Sequence, residues 1–126
     1  MTAVSDRLRA RFTRIALLAE IEDVLQWDER TMMPPGGAGA RGDQLAVLAG
    51  IKHGLLVAPE TADDLNAAEA VGEAAPWAAA NLRLMRHAHT RAAAVPAELV
   101  EAQARANSAC EKVWRVARRT PQEARA

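Results

Sequence analysis

Hydrolytic chemistry needs an activated nucleophile or a metal-bound water. The residues of this chain with suitable side chains are three histidines, His53, His87 and His89, and one cysteine, Cys110. A zinc helix would carry H-E-x-x-H, two ligands one turn apart with a glutamate as base, and no such motif is present. His87 and His89 are two positions apart on an expected helix, which turns their side chains about 200° from one another. They are a poor pair for one metal. His53 belongs to no ligand motif and is expected to pack or to hydrogen-bond. Cys110 falls on an apolar helical stripe and is expected to be a small buried hydrophobe. The run Pro34-Pro35-Gly36-Gly37-Ala38-Gly39 is not followed by Lys-Ser/Thr, nor preceded by a strand pattern, so it is no phosphate loop. Asp28 as a catalytic acid would need a partner carboxylate and a cleft. Pairing with Arg30 or Arg41, or capping of a neighbouring helix, is the expected role.

These residues must be positioned by helices. About a quarter of the 126 residues are alanine, the aromatics are only Phe12, Trp27, Trp77 and Trp114, and tyrosine is absent. Alanine favours helix and buries little area, so the chain should form helices readily and pack them thinly. β-Branched residues are too scattered for strands. The net charge is zero, which gives no argument for nucleic acid. Charge is nevertheless uneven. Glu60 to Glu73 holds five acids and no base, whereas bases predominate from Arg105 onward. Solvated helix faces are the expectation for both. A single cysteine fits a reducing cytoplasm. The N-terminus does not read as a signal peptide, and no apolar run approaches the ~18 residues of a membrane span.

The spacing predicts an all-α domain of five helices joined by short Pro/Gly turns, at about 5–33, 40–56, 60–72, 76–93 and 97–118. Ser5 or Asp6 can cap the first. Leu8, Phe12, Ile15, Leu18 and Leu25 form its inner face, and Pro34-Pro35 must end it. Leu45, Leu48, Ala49, Leu55 and Leu56 line the second, where Gly42, Gly50 and Gly54 could admit another backbone closely. Gly72 closes the third. Pro76 and Pro96 are placed as first-turn prolines of the fourth and fifth, and Pro121 ends the last. Leu99, Gln103, Ala106, Cys110, Val113 or Trp114, and Ala117 make the clearest stripe. Trp27 with Met32 or Met33 should anchor the end of the first helix, and Trp77 and Trp114 read as core fillers, with lining of a small-ligand space as the weaker alternative.

One stretch is unusual. Trp27-Asp28-Glu29-Arg30-Thr31-Met32-Met33-Pro34-Pro35-Gly36-Gly37-Ala38 is followed by Arg41, by Gln44-Leu45-Ala46-Val47-Leu48, and by His53 before Leu55-Leu56. This resembles the N-terminal signature of the carboxypeptidase Taq family of zinc-type metallocarboxypeptidases. Val95-Pro96-Ala97-Glu98-Leu99-Val100 and Trp114 resemble the same family. The likeness runs from about Leu17 to Arg118. It implies a larger, all-helical, usually dimeric parent with a deep groove. That parent would remove C-terminal residues with zinc or cobalt held by H-E-x-x-H and a downstream glutamate. No position here matches those ligands, so no catalytic or metal residue carries over, and Trp27, Asp28, Thr31, Met32, Met33, Pro34, Pro35, Gly37, Arg41, Gln44 and His53 are expected to act structurally. The chain alone is expected to be inert, or else a stand-alone interaction or assembly module derived from that family. Apolar faces left without a partner favour self-association, and a homodimer without nucleic acid or membrane partners is expected.

Overall fold

A computed structural model describes residues 2–119. Among them are five α-helices and no strand: α1 (Ala3–Thr31), α2 (Ala38–Val57), α3 (Pro59–Val71), α4 (Pro76–Ala93) and α5 (Ala97–Arg119), with a 3₁₀ turn at Pro35–Gly37. The expected stop at Pro121 lies outside the described residues, as does the Arg125-Ala126 tail. No single described helix is long and apolar enough to cross a membrane.

The cap of α1 falls earlier than expected. Thr2 takes it, its Oγ1 accepting from the Ser5 backbone N–H at 3.2 Å. At the other end, the N–H groups of Met32 and Met33 both donate to the Asp28 carbonyl. The helix therefore stops at Thr31, two residues short of the expected boundary, because Pro34 and Pro35 have no N–H with which to extend it. A lone residue, Ala58, separates α2 from α3. Pro59 opens α3, and the buried Thr61 hydroxyl donates to the Leu55 carbonyl at 2.8 Å, fastening the bend. Gly72 ends α3 with φ of +77°, the one positive φ among the described residues and a conformation that favours glycine.

α2 is the central element. α1, α3, α4 and α5 all pack on it. The core is thin, as an alanine-rich chain dictates. Its main cluster is Leu8, Leu65 and Ala68, flanked by Val4, Phe12, Leu82 and Met85. Leu45 and Ala46 are buried on α2. The small residues serve close approach. A Cβ on Gly42 would touch Ser108 of α5 at 3.6 Å, and one on Gly50 would press on the Glu101 carboxylate, whereas Gly54 faces open space.

The expected stripe of α5 points the other way. The helix rests on α2 through Ser108, with Val100, Glu101, Ala104 and Arg115 partly covered. Leu99, Val113, Trp114 and Val116 are each more than half exposed, and Cys110 is exposed too. Cys110 is therefore no buried hydrophobe. The seat of α5 is set by small and polar residues fitting the glycine-bearing face of α2, which hydrophobic periodicity does not report. Trp77 is 83% exposed and fills no core.

The acidic helix is likewise not a plain solvated face. Asp64 is buried against α1, where Arg7 donates to it from Nη2 at 2.5 Å and Arg11 from Nη1 at 3.4 Å. Glu69 receives Arg86 of α4 through two hydrogen bonds near 2.8 and 2.7 Å. Hydrogen bonding from Arg7 holds the Asp64 carboxyl below its ordinary range, against the opposing effect of burial. Arg86 does the same for Glu69. A carboxyl depressed in the folded state stabilises it fully above the unfolded pKa, near 4, and loses that contribution as pH falls toward the folded value. Thermal melts should therefore show falling stability below about pH 5. Asp64→Asn should lower Tm at pH 7 by about 3–6 °C and flatten this acid dependence. An unchanged pH profile would contradict the assignment.

Candidate functional site

The signature residues gather where α1 hands over to α2. The centre of the gathering is the Arg41 guanidinium, which is 13% exposed. Its Nη2 donates to Asp28 Oδ2 at 2.8 Å, its Nη1 to the Leu25 carbonyl at 2.6 Å, and its Nε to Gln44 Oε1 at 3.0 Å. One planar cation thus joins the last turns of α1 to the first turns of α2. The bidirectional fork of arginine suits this, and lysine would not reproduce it. Of the expected partners of Asp28, Arg41 is the one observed; Arg30 instead approaches Glu111 of α5 at 3.7 Å. Thr31 Oγ1 donates to the Trp27 carbonyl at 2.7 Å, closing the final turn.

The anchoring side chains differ from expectation. Trp27 is 60% exposed and Met32 72% exposed, so neither anchors the helix end. Met33 does, folding back so that a Cβ on Gly37 would lie 3.1 Å from its Cγ. Gly37 has an ordinary φ of −82°, so its small size matters for crowding against Met33 and not for backbone freedom, and Gly36 and Gly39 face open space. Pro34 is extended and Pro35 begins the 3₁₀ turn, with the Gly37 N–H bonded to the Pro34 carbonyl at 2.9 Å.

His53 is buried, and its Nε2 lies 2.9 Å from the Ala92 carbonyl and 2.8 Å from the Val95 carbonyl. Two acceptors around one ring nitrogen require that nitrogen to carry the proton. His53 therefore fastens α2 to the turn between α4 and α5. His89 likewise has Nδ1 2.7 Å from the Leu56 carbonyl, while His87 is exposed. Among the described residues no three His, Cys, Asp or Glu side chains come together as a possible metal site. The described residues supply no donor set that would fit the metal of the resembled family.

Between α1 and α5 runs an open cleft of about 570 Å³ with Leu45 at its floor. Sequence reasoning passed over its key residue. Glu29 is only 6% exposed; its carboxylate accepts from the Ser108 hydroxyl and its backbone carbonyl accepts from Arg115. No sequence signal marked it, because Ser108 facing Gly42 of α2 is a contact that apolar periodicity does not report. The other acids of the cleft are also engaged, Glu22 with Lys52 and Gln26, and Glu111 with Arg30. No histidine lines the cleft beside Cys110, and Trp114 stands at its wall with the Arg118 guanidinium 5.3 Å from its ring centroid. The arrangement holds helices together and presents a polar concavity; its buried hydroxyl–carboxylate pair, Ser108 and Glu29, joins α5 to α1.

The structural role of His53 has a direct consequence. His53→Phe keeps an aromatic ring at the site and removes both hydrogen bonds, leaving the two carbonyls unpaired, which should lower unfolding stability by about 1–3 kcal/mol. Urea unfolding followed by circular dichroism measures this, and an unchanged midpoint would contradict it.

Comparison with known proteins accords with the signature. The family pattern described as carboxypeptidase Taq (M32) metallopeptidase matches residues 7–124. Thermostable carboxypeptidase 1 of Thermus thermophilus is 36% identical over 106 residues, which is 82% of this chain and 21% of that relative. The chain thus spans about a fifth of the length of the curated relative it matches. No solved structure matches significantly. The Asp28–Arg41–Gln44 clamp therefore occurs in a chain that belongs to the carboxypeptidase Taq (M32) metallopeptidase family.

Proposed function

We propose that these residues form the opening helical part of a metal-dependent carboxypeptidase fold and do not catalyse by themselves. The observation that carries this reading is the commitment of the site residues to structure. Arg41, Asp28 and Gln44 clamp α1 to α2, and the rings of His53 and His89 are bonded to backbone carbonyls. A catalytic metal of the family would draw its ligands from outside the described residues. The α1–α5 cleft then serves as a wall or support of the larger groove, its acids already paired. A cytoplasmic setting suits the single free thiol.

A second reading, a separate helical assembly module derived from the family, is favoured by the exposed apolar side of α5. The two readings agree that the isolated chain is inert. Purified protein incubated with a blocked dipeptide or a longer peptide, with zinc or cobalt added, should release no C-terminal amino acid above the buffer rate. Turnover that requires the metal and is abolished by a chelator would overturn both.

A further inference from the structure

We infer that the α1–α5 cleft binds a primary ammonium group, with Glu29 as its counter-ion. Glu29 is a buried carboxylate that no cation answers. Its side-chain partner among the described residues is the neutral hydroxyl of Ser108, on Oε1. The other buried carboxylate, Asp64, is met by Arg7 and Arg11. Arg115 is turned to the backbone carbonyl of Glu29, and Arg30 to Glu111. No ion pair among the described residues includes Glu29. A buried carboxylate without an opposite charge keeps a desolvation cost that a cation would offset. Among the described residues no fully buried side-chain oxygen is left unpaired, so Oε2, which has no partner there, reaches open space. Glu29 and Ser108 both line the cleft, and that is where the oxygen opens.

The cleft selects the class of ligand. Three carboxylates, Glu22, Glu29 and Glu111, line it against one guanidinium, Arg30, which disfavours an anion. The described residues bring no three His, Cys, Asp or Glu side chains together as a metal site, so these acids are too dispersed to hold one metal ion. An ammonium group needs one carboxylate oxygen and two further acceptors for its three N–H donors. Gln26 donates through Nε2 to Glu22, which leaves its amide oxygen as an acceptor, and Asn107 brings another to the same cleft. Leu45 at the floor and Trp114 at the wall offer apolar area to the carbon chain behind the ammonium, and about 570 Å³ accommodates it. A free alkylamine and a lysine side chain of another protein segment present the same group. The site goes beyond the supporting role proposed for the cleft and does not rest on it.

Isothermal titration of the 126-residue chain with butylammonium chloride at neutral pH tests this. Saturable 1:1 binding is expected, with none of butanol, the neutral counterpart, or of butyrate. Glu29→Gln, which keeps an oxygen for the Ser108 hydroxyl, should weaken binding at least about tenfold with helix content by circular dichroism unchanged. Asp43→Asn, at an exposed carboxylate outside the cleft, should leave binding unchanged. Cys110 lines the cleft and gives a readout that needs no variant. Its alkylation by N-ethylmaleimide should slow in saturating butylammonium and not in butanol, which decides the matter if Glu29→Gln does not fold. Nα-acetyl-lysine amide distinguishes the carriers: tighter binding than butylammonium assigns the ammonium to a lysine of a protein segment, weaker binding to a free amine, and either supports the site. Absence of saturable binding, binding matched by butanol, or unchanged affinity in a folded Glu29→Gln would overturn the inference. So would Cys110 alkylation indifferent to butylammonium.

Discussion

The fold depends on one cation. Pro34 and Pro35 break the helical hydrogen-bond ladder between α1 and α2, so backbone bonding does not fix the angle between those helices. Arg41 does, by holding Asp28 and the Leu25 carbonyl on one side and Gln44 on the other. Everything that packs on α2 inherits this angle. The most sensitive case is Glu29, which must reach Ser108 across the cleft from the last turns of α1. A guanidinium with fixed fork geometry transmits such a constraint better than a flexible ammonium.

The same logic runs through the rest of the molecule. An alanine-rich chain buries little apolar area per residue, and among the described residues the buried polar side chains, Glu29, His53, Thr61, Asp64 and Ser108, equal the buried apolar ones in number. Each has a hydrogen-bond partner, and no buried side-chain polar atom among the described residues is left without one. Four of these five join separate helices or the turn beyond: Glu29 and Ser108 join α1 to α5, His53 joins α2 to the α4–α5 turn, and Asp64 joins α3 to α1. Thr61 fastens the α2–α3 bend. Removing one partner of such a pair leaves the other buried and unsatisfied. Helix positions in this family portion are thus specified by polar geometry as much as by burial.

That explains which features were legible in the sequence. Helix number and order followed from proline and glycine placement, and the five observed helix starts, at 3, 38, 59, 76 and 97, each lie within two residues of the expected ones. The inner face of α1 and the apolar side of α2 followed from spacing. The seat of α5 did not, because its strongest apolar stripe is on the outside and its contact face reads as Glu101, Ala104, Ser108 and Arg115. The tryptophans misled for a related reason: size predicts burial only when a thick core exists to receive it. The signature itself was recognisable by resemblance, yet its mechanics, a single arginine and a folded-back Met33, needed coordinates.

The central claim is that Arg41 positions Glu29 for Ser108 although Arg41 touches neither. A double-mutant cycle of Arg41→Ala and Ser108→Ala, measured by urea unfolding, tests it. The account predicts non-additivity, with the double variant more stable than the sum of the single losses implies by at least ~0.5 kcal/mol. Additivity within ~0.3 kcal/mol would show that the clamp and the cleft are independent and would contradict the account.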